Sequence, residues 1–299
     1  MDTDHEERDV LKSLLDYFPG QQVEIMSRTD DGRKWIVATH SDRDAGTFYL
    51  FDRDRNSMAR LFTMHSDIPA EALSPVQPIS YTSVDNLTIH GYLTPGIGTD
   101  TNERPMVVMV HGGPRARDHW IYNPEVQAFA TRGISVLQVN YRGSTGYGEA
   151  FMDAGNGEWG NKVQQDIING VKWAIAEGHA DPGRVCIMGA SYGAYSAVMS
   201  ASIEPDMFRC VVANAGLYDL ELMYKRGDIK DLFFGEDFIE EMIGTDKGQL
   251  AAFSPVDQVH RVKAPVLVAH GKKDRRTPFV HAKRLVSAMK KAGVPHETL

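Results

Sequence analysis

The sequence predicts an α/β protein, a mostly parallel β-sheet with helices on both faces, preceded by a small antiparallel β segment. Three observations carry this prediction. From about Ser74 onward, short near-continuously apolar runs alternate with helical stretches, the rhythm of βαβ units whose strands are buried on both faces. Ahead of Ser74, short alternating segments are separated by turn-rich clusters, as in an antiparallel meander. Between residues 184 and 193, an apolar run stops at a glycine and a helix-forming stretch follows at once, so a strand turns sharply into a helix there.

Residues 10–18 suit one short helix. Strands follow at 22–26, 34–40, 47–51 and 58–62, punctuated by Thr29-Asp30-Asp31-Gly32-Arg33 and Ser41-Asp42-Arg43-Asp44-Ala45-Gly46. A four-stranded sheet of this kind has one apolar face, and nothing in the segment is expected to cover it. Residues 1–73 therefore read as a short helix plus one blade of a β-propeller-like array without its neighbours. Residues 74–299 form the α/β domain. Strands at 77–82 and 87–94 are joined by the turn Ser83-Val84-Asp85-Asn86. A strand at 106–110, a helix at 124–131 and a strand at 134–140 follow. A helix at 163–177, the strand from 185 and a helix at 192–203 come next. The run ends with a strand at 210–213, an irregular helical region at 218–243, a strand at 265–270 and a helix at 278–292.

Composition narrows the function classes. The 299 residues are 42% apolar and 24% charged, as in ordinary globular proteins. A formal charge of −8 without any Lys/Arg run of five or more argues against nucleic acid as a partner. No apolar window approaches the roughly 18 residues of a membrane span. The acidic start Met1-Asp2-Thr3-Asp4-His5-Glu6-Glu7 lacks the apolar core of a signal peptide. The cytoplasm is thus the expected compartment, with periplasm or secretion left to a signal on a longer natural N-terminus. Cys186 and Cys210 sit in apolar strand-like runs and read as buried thiols, not a disulfide. With no close Cys/His cluster, no G-x-G-x-x-G and no P-loop, neither metal nor cofactor is expected.

The chemistry centres on Gly189-x-Ser191-x-Gly193. Strand before and helix after make this a nucleophile elbow: the turn strains Ser191, and its hydroxyl projects clear of the sheet. The helix N-terminus then favours negative charge beside the serine. A serine needs a base, an orienter for that base and donors for the oxyanion, and in this architecture they gather at the carboxyl ends of strands. Val110-His111-Gly112-Gly113-Pro114 follows the strand at 106–110, and its glycines allow main-chain N–H groups to face a substrate oxygen. The Gly113 N–H, paired with the Tyr192 N–H, is the predicted oxyanion hole. His111 reads as a loop-shaping hydrogen-bond donor. Asp274, after the strand at 265–270 and before a helix opened by Thr277-Pro278, is the acid, in the chain order Ser…Asp…His of α/β-hydrolases. Of the histidines after it, His281 falls within the following helix and His296 at the entry to one more strand, so both read as structural or solvent-facing. The base is expected on a loop beyond Leu299.

Four ordered motifs resemble those of the prolyl oligopeptidase family of serine peptidases, nearest its acylaminoacyl-peptidase and dipeptidyl-peptidase-like branch. They are His111-Gly112-Gly113-Pro114, Asn140-Tyr141-Arg142-Gly143-Ser144-Thr145-Gly146-Tyr147-Gly148, Gly189-Ala190-Ser191-Tyr192-Gly193 and His270-Gly271-x-x-Asp274-x-x-Thr277-Pro278. The second discriminates best, because ordinary lipases and esterases lack it. The likeness covers residues 76–299. It implies an α/β-hydrolase domain that hydrolyses short peptides through a Ser191 acyl-enzyme, a carboxylesterase with the same machinery being the alternative. It also implies an N-terminal β-propeller, of which residues 20–65 look like the last blade, and it allows a homo-oligomer of the full-length enzyme. Arg276 is implied as a binder of a substrate carbonyl or carboxylate, an exposed salt bridge being the alternative. Residues 217–234 are expected to contribute to the S1 pocket. The family's His-containing loop is expected roughly ten residues beyond Leu299. On this reading the chain is a fragment of a longer enzyme, inactive and aggregation-prone on its own.

Overall fold

Apolar runs without a polar break have to be buried on both faces, and they form the centre of the structure. The computed structural model describes residues 3–98 and 104–299, which fall into two units.

The first unit comprises the chain up to Val76 together with His119–Thr131. Helix α1 (Thr3–Tyr17) precedes four antiparallel strands in sequential order: β1 (Gln22–Arg28), β2 (Lys34–His40), β3 (Thr47–Asp52) and β4 (Ser57–Thr63). Register sets Trp35 opposite Phe51 and Ile25 opposite Val37. These side chains share one face, where Leu14 and Val10 of α1 join them in a small core. The apolar face expected to lie uncovered is therefore covered from within the segment. The helix starts well ahead of residue 10, where the charged stretch of sequence offers no apolar stripe to signal it. Helix α2 (Pro124–Ala130) also belongs here. Asn123 caps it by accepting from the Glu125 and Val126 N–H groups, with Pro124 at the first helical position, where its missing N–H costs nothing. The Gln127 amide pairs with both main-chain groups of Ser74, at 2.8 and 3.0 Å.

The second unit, Gln77–Asp118 with Arg132–Leu299, is an eight-stranded sheet. In chain order its strands are β5 (Gln77–Thr82), β6 (Thr88–Thr94), β7 (Met106–Val110), β8 (Ser135–Asn140), β9 (Val185–Ala190), β10 (Cys210–Asn214), β11 (Val266–Ala269) and β12 (His296–Thr298). In space the order is β12-β11-β10-β9-β7-β8-β6-β5. The strands from β12 to β8 are mutually parallel, β6 runs antiparallel to β8, and β5 antiparallel to β6. The helices are α3 (Glu149–Asp153), α4 (Lys162–Ala176), α5 (Tyr192–Ile203), α6 (Leu220–Met223), α7 (Gly235–Ile243), α8 (Lys247–Ala252), α9 (Pro255–Gln258) and α10 (Val280–Ala292). This is the mostly parallel α/β sheet expected from the strand–helix rhythm, in the α/β-hydrolase form that the family resemblance implies. Helix α5 is apolar all round and buried along its length, as a helix in the middle of a core must be. No helix among the described residues is long and apolar enough to cross a membrane.

Two local expectations are corrected. Cys186 and Cys210 are joined in a disulfide and are half-buried rather than free, buried thiols. Parallel register sets Cys210 opposite Cys186 on neighbouring strands, with Cα atoms 4.8 Å apart, inside the usual span of a disulfide. Strand adjacency of this kind cannot be read from spacing along the chain. Thr277-Pro278 does not open α10, which starts at Val280; these two residues belong to the turn before it, where the Thr277 hydroxyl reaches the Ala215 carbonyl and Asp274.

The disulfide gives a direct check. The bridge spans 24 positions, and chain-entropy reasoning assigns such a loop about 3 kcal/mol. Thiol titration of the denatured, unreduced protein should find no free cysteine, and the Cys186→Ser/Cys210→Ser double variant should unfold at lower denaturant by about that amount.

Candidate active site

The end of β9 delivers Ser191 at φ 57° and ψ −119°, a left-handed conformation that a residue with a Cβ adopts at a cost of about 1–3 kcal/mol. The strain is held by main-chain bonds. The Ser191 N–H donates to the Asn214 carbonyl at 2.9 Å, and its own carbonyl accepts from the N–H groups of Ala194 and Tyr195. Serine at a helix N-cap ordinarily turns its hydroxyl onto the first-turn N–H groups. Here the Ser191 side chain makes no capping bond, which leaves the hydroxyl to other partners.

The predicted oxyanion loop lies alongside. Strand β7 runs parallel to β9 with Val110 opposite Gly189, so both chains leave the sheet at the same edge. A Cβ built on Gly193 would stand 2.0 Å from the Val110 carbonyl oxygen, so only glycine lets α5 start this close to β7. A Cβ on Gly112 would lie 3.6 Å from the Ser191 Cβ, which places that backbone directly against the serine. Gly113 has φ +127°, open only to glycine. The Tyr192 N–H stands in the first turn of α5, where the helix itself offers no acceptor. The structure thus brings Ser191, Tyr192 and the 111–113 loop together.

Asp274 is brought to the same edge by β11, which pairs with β10, itself paired with β9. The Thr277 N–H donates to Asp274 Oδ1 at 2.9 Å. The Thr277 hydroxyl lies within reach of Asp274 Oδ2 at 3.0 Å and the Ala215 carbonyl at 2.8 Å, with one proton to share. Ala215 directly follows Asn214, the acceptor for Ser191. The acid loop and the elbow are therefore tied to one point, the end of β10. Nothing in the sequence assigned Thr277 this role; its position three residues after the acid is the only signal. Arg276 pairs with Asp228 at 3.1 Å, both well exposed.

Each histidine singled out earlier has a definite place. His281 is buried, and its Nδ1 accepts from the Tyr218 N–H at 3.1 Å; burial lowers it to about 4. His296 lies at the start of β12, its Nδ1 against the Val294 carbonyl. His270 donates from Nε2 to the Thr277 carbonyl at 2.6 Å and stands 4.0 Å from Asp274 Oδ2. His111 contacts the Gly112 carbonyl and the Ser144 hydroxyl, consistent with shaping its loop.

The Asn140–Gly148 motif rests on partners that sequence reasoning missed. Arg142, 2% exposed, binds Asp166 of α4 through Nε and Nη2 and Asp85 through Nη1 and Nη2, all at 2.8 Å. The Arg142 N–H adds a bond to Asp166 Oδ2, and the Ser83 hydroxyl donates to Asp166 Oδ1. Hydrogen bonds from the guanidinium hold Asp85 down at about 2. The signal for Asp166 was present: one carboxylate among Val163, Ile167 and Val171 on the buried face of a helix has to be paired. Among the described residues, no group of three or more His, Cys, Asp or Glu is disposed to hold a metal ion.

With this geometry in hand, comparison with known proteins places the chain. Residues 120–299 match the model of the prolyl oligopeptidase family. The chain belongs to that family. Within it, the dipeptidyl aminopeptidase BIII of Pseudoxanthomonas mexicana is 35% identical over 296 residues, covering 95% of this chain and 43% of the relative. The acylamino-acid-releasing enzyme of Homo sapiens is 30% identical, covering 73% of this chain and 30% of its own. Among solved structures, a puromycin-hydrolyzing peptidase of Mycobacterium tuberculosis superposes with a TM-score of 0.80 at 25% identity, over 90% of this chain and 41% of that one. The acylaminoacyl peptidase of Pyrococcus horikoshii gives 0.78 at 26%, over 92% and 44%. The chain therefore spans less than half the length of these family members.

His281 yields a pH test. Its proton affinity is depressed on folding, so the unfolded chain binds the proton more tightly. The stability held by neutral His281 is complete above about pH 6.5 and is lost as pH falls through about 4. Denaturant unfolding between these limits should show a decline of about 3 kcal/mol that His281→Asn, which keeps an acceptor for the Tyr218 N–H, largely removes.

Proposed function

We propose that this chain carries the catalytic domain of a serine peptidase acting on short peptides. The observation behind the proposal is Ser191 itself: a strained serine at a helix N-terminus, its hydroxyl free of capping duty, in a domain of this family. Ser191 Oγ attacks the scissile carbonyl while a histidine takes its proton. The carbonyl oxygen becomes an oxyanion facing the N–H groups of Gly113 and Tyr192, whose dipoles are set by the backbone before reaction begins. Collapse expels the amine, which takes the proton back from the histidine. Water then repeats the sequence on the acyl-enzyme. Asp274 orients the histidine and stabilises its cationic form. Arg276, two residues on, offers a guanidinium to a substrate carbonyl or carboxylate.

The histidine is assigned to the natural protein outside residues 1–299. Support comes from the places of three histidines after Ser191: His270 is committed to the Thr277 carbonyl and His281 to the Tyr218 N–H, while His296 stands at the start of β12, away from the strand ends that carry Ser191 and Asp274. Residues 1–299 alone should therefore turn over peptide no faster than their Ser191→Ala variant.

In the full natural protein, a fluorophosphonate probe should label Ser191, and a short peptidyl anilide should be hydrolysed. Asp274→Asn should lower kcat by roughly 10³- to 10⁴-fold. Absence of label would refute the serine mechanism. Turnover of a p-nitrophenyl ester but not of the anilide would make the protein a carboxylesterase instead.

A further inference from the structure

The discriminating motif Asn140–Gly148 contains no residue of the catalytic scheme, yet its second member reaches the oxyanion loop. The Tyr141 ring stacks on the His111 imidazole with centroids 4.2 Å apart and planes 14° from parallel. The Tyr141 hydroxyl donates to the His111 carbonyl at 2.9 Å and stands 3.1 Å from His111 Nδ1. That nitrogen also lies 2.8 Å from the Gly112 carbonyl oxygen. A carbonyl can only accept, so Nδ1 carries a proton. That one proton goes to the Gly112 carbonyl, the phenol's own proton goes to the His111 carbonyl, and the phenol oxygen meets Nδ1 as part of the face-to-face ring stack. On the far side of the ring, the Ser144 hydroxyl lies 3.0 Å from Nε2 and 2.6 Å from the Tyr141 carbonyl, with one proton to share between these two acceptors. The 141–144 segment thus grips the His111 carbonyl directly, and the Gly112 carbonyl only through the His111 imidazole on which Tyr141 stacks.

That grip needs a fixed base, and the core provides it. Arg142 spends four contacts and its own N–H on Asp166 and Asp85, anchoring the residue next to Tyr141 to α4 and to the β5–β6 turn. A planar fork used on two carboxylates at once defines both position and orientation. Tyr141 is fully buried, and burial pushes its phenol well above the ordinary tyrosine range, so the proton stays on the hydroxyl.

We infer that Tyr141 is a positioning residue for the oxyanion hole: its hydroxyl fixes the His111–Gly112 peptide, and its ring backs the imidazole that holds the Gly112 carbonyl, whose peptide carries the Gly113 N–H. This rests on the peptidase reading above. Misdirecting one oxyanion donor weakens a bond that matters most in the transition state, so kcat falls while substrate binding hardly changes. Damage to packing alone would lower thermal stability, or reduce the active fraction, without slowing the folded enzyme's reaction with probe.

The test is Tyr141→Phe in the full natural protein, which keeps the ring and its stacking and deletes only the hydroxyl. Active enzyme is counted by the end point of fluorophosphonate labelling at Ser191. Per active site, kcat for a peptidyl anilide should fall about 10- to 100-fold with KM within about twofold of wild type, and the labelling rate should fall in parallel. If Tyr141→Phe does not fold, Ser144→Ala, which releases Nε2, carries the test and should lower kcat by about 5- to 10-fold. Unchanged kcat and labelling rate in the folded variant would overturn the inference while wild-type labelling leaves the peptidase reading standing. A wild-type protein that neither labels nor turns over would overturn both.

Discussion

The close approach of α5 to the end of β7 is the constraint on which the site depends. With the Gly193 Cα this near the Val110 carbonyl, a methyl group there would overlap the oxygen. The helix can therefore begin immediately after the strand, and Ser191 is forced through a left-handed turn with no room to relax. Because β7 is the parallel neighbour of β9, the same contact sets the 111–113 loop beside the serine. The strained serine and the glycine loop beside it are thus two consequences of one packing event.

The surroundings turn that geometry into something rigid. On one side, the end of β10 receives both the Ser191 N–H, at Asn214, and the Thr277 hydroxyl, at Ala215, so the acid loop moves with the elbow. On the other, the Arg142 ion pairs anchor the segment that grips His111. Burying a guanidinium and a carboxylate is costly in itself and often no better than apolar packing. Here every Asp166 oxygen and four of the five guanidinium hydrogens find partners, and the return is orientation rather than stability. Asp85, more exposed, completes the set and stays ionised even in mild acid.

Much of this was legible in the chain. The strands at 34–40, 77–82 and 106–110 and the helix at 192–203 stand where apolar pattern and turn residues placed them, because a buried run between breakers has few alternatives. Ser191 and the two loops were named from their positions at strand ends. What escaped depends on neighbours in space. The Cys186–Cys210 bridge follows from β9 lying next to β10, and sequence order does not reveal strand order. Thr277-Pro278 suits a helix start, but α10 begins at Val280 and the Thr277 hydroxyl lies between the Ala215 carbonyl and the Asp274 carboxylate. Asp166 was visible as an odd polar residue on an apolar helix face, while its partner Arg142 lies 24 positions away. Cover for the blade-like sheet came from α1, whose first turns carry charge and no apolar stripe.

On the proposed mechanism, one main-chain pocket, built where β7 meets α5, receives the negative oxygen of the reaction. A high-resolution structure of the natural protein carrying a peptidyl aldehyde on Ser191 tests this most directly. The hemiacetal oxygen should lie about 2.7–3.1 Å from both the Gly113 and Tyr192 nitrogens. An adduct on another residue, or an oxygen directed away from both N–H groups, would contradict it.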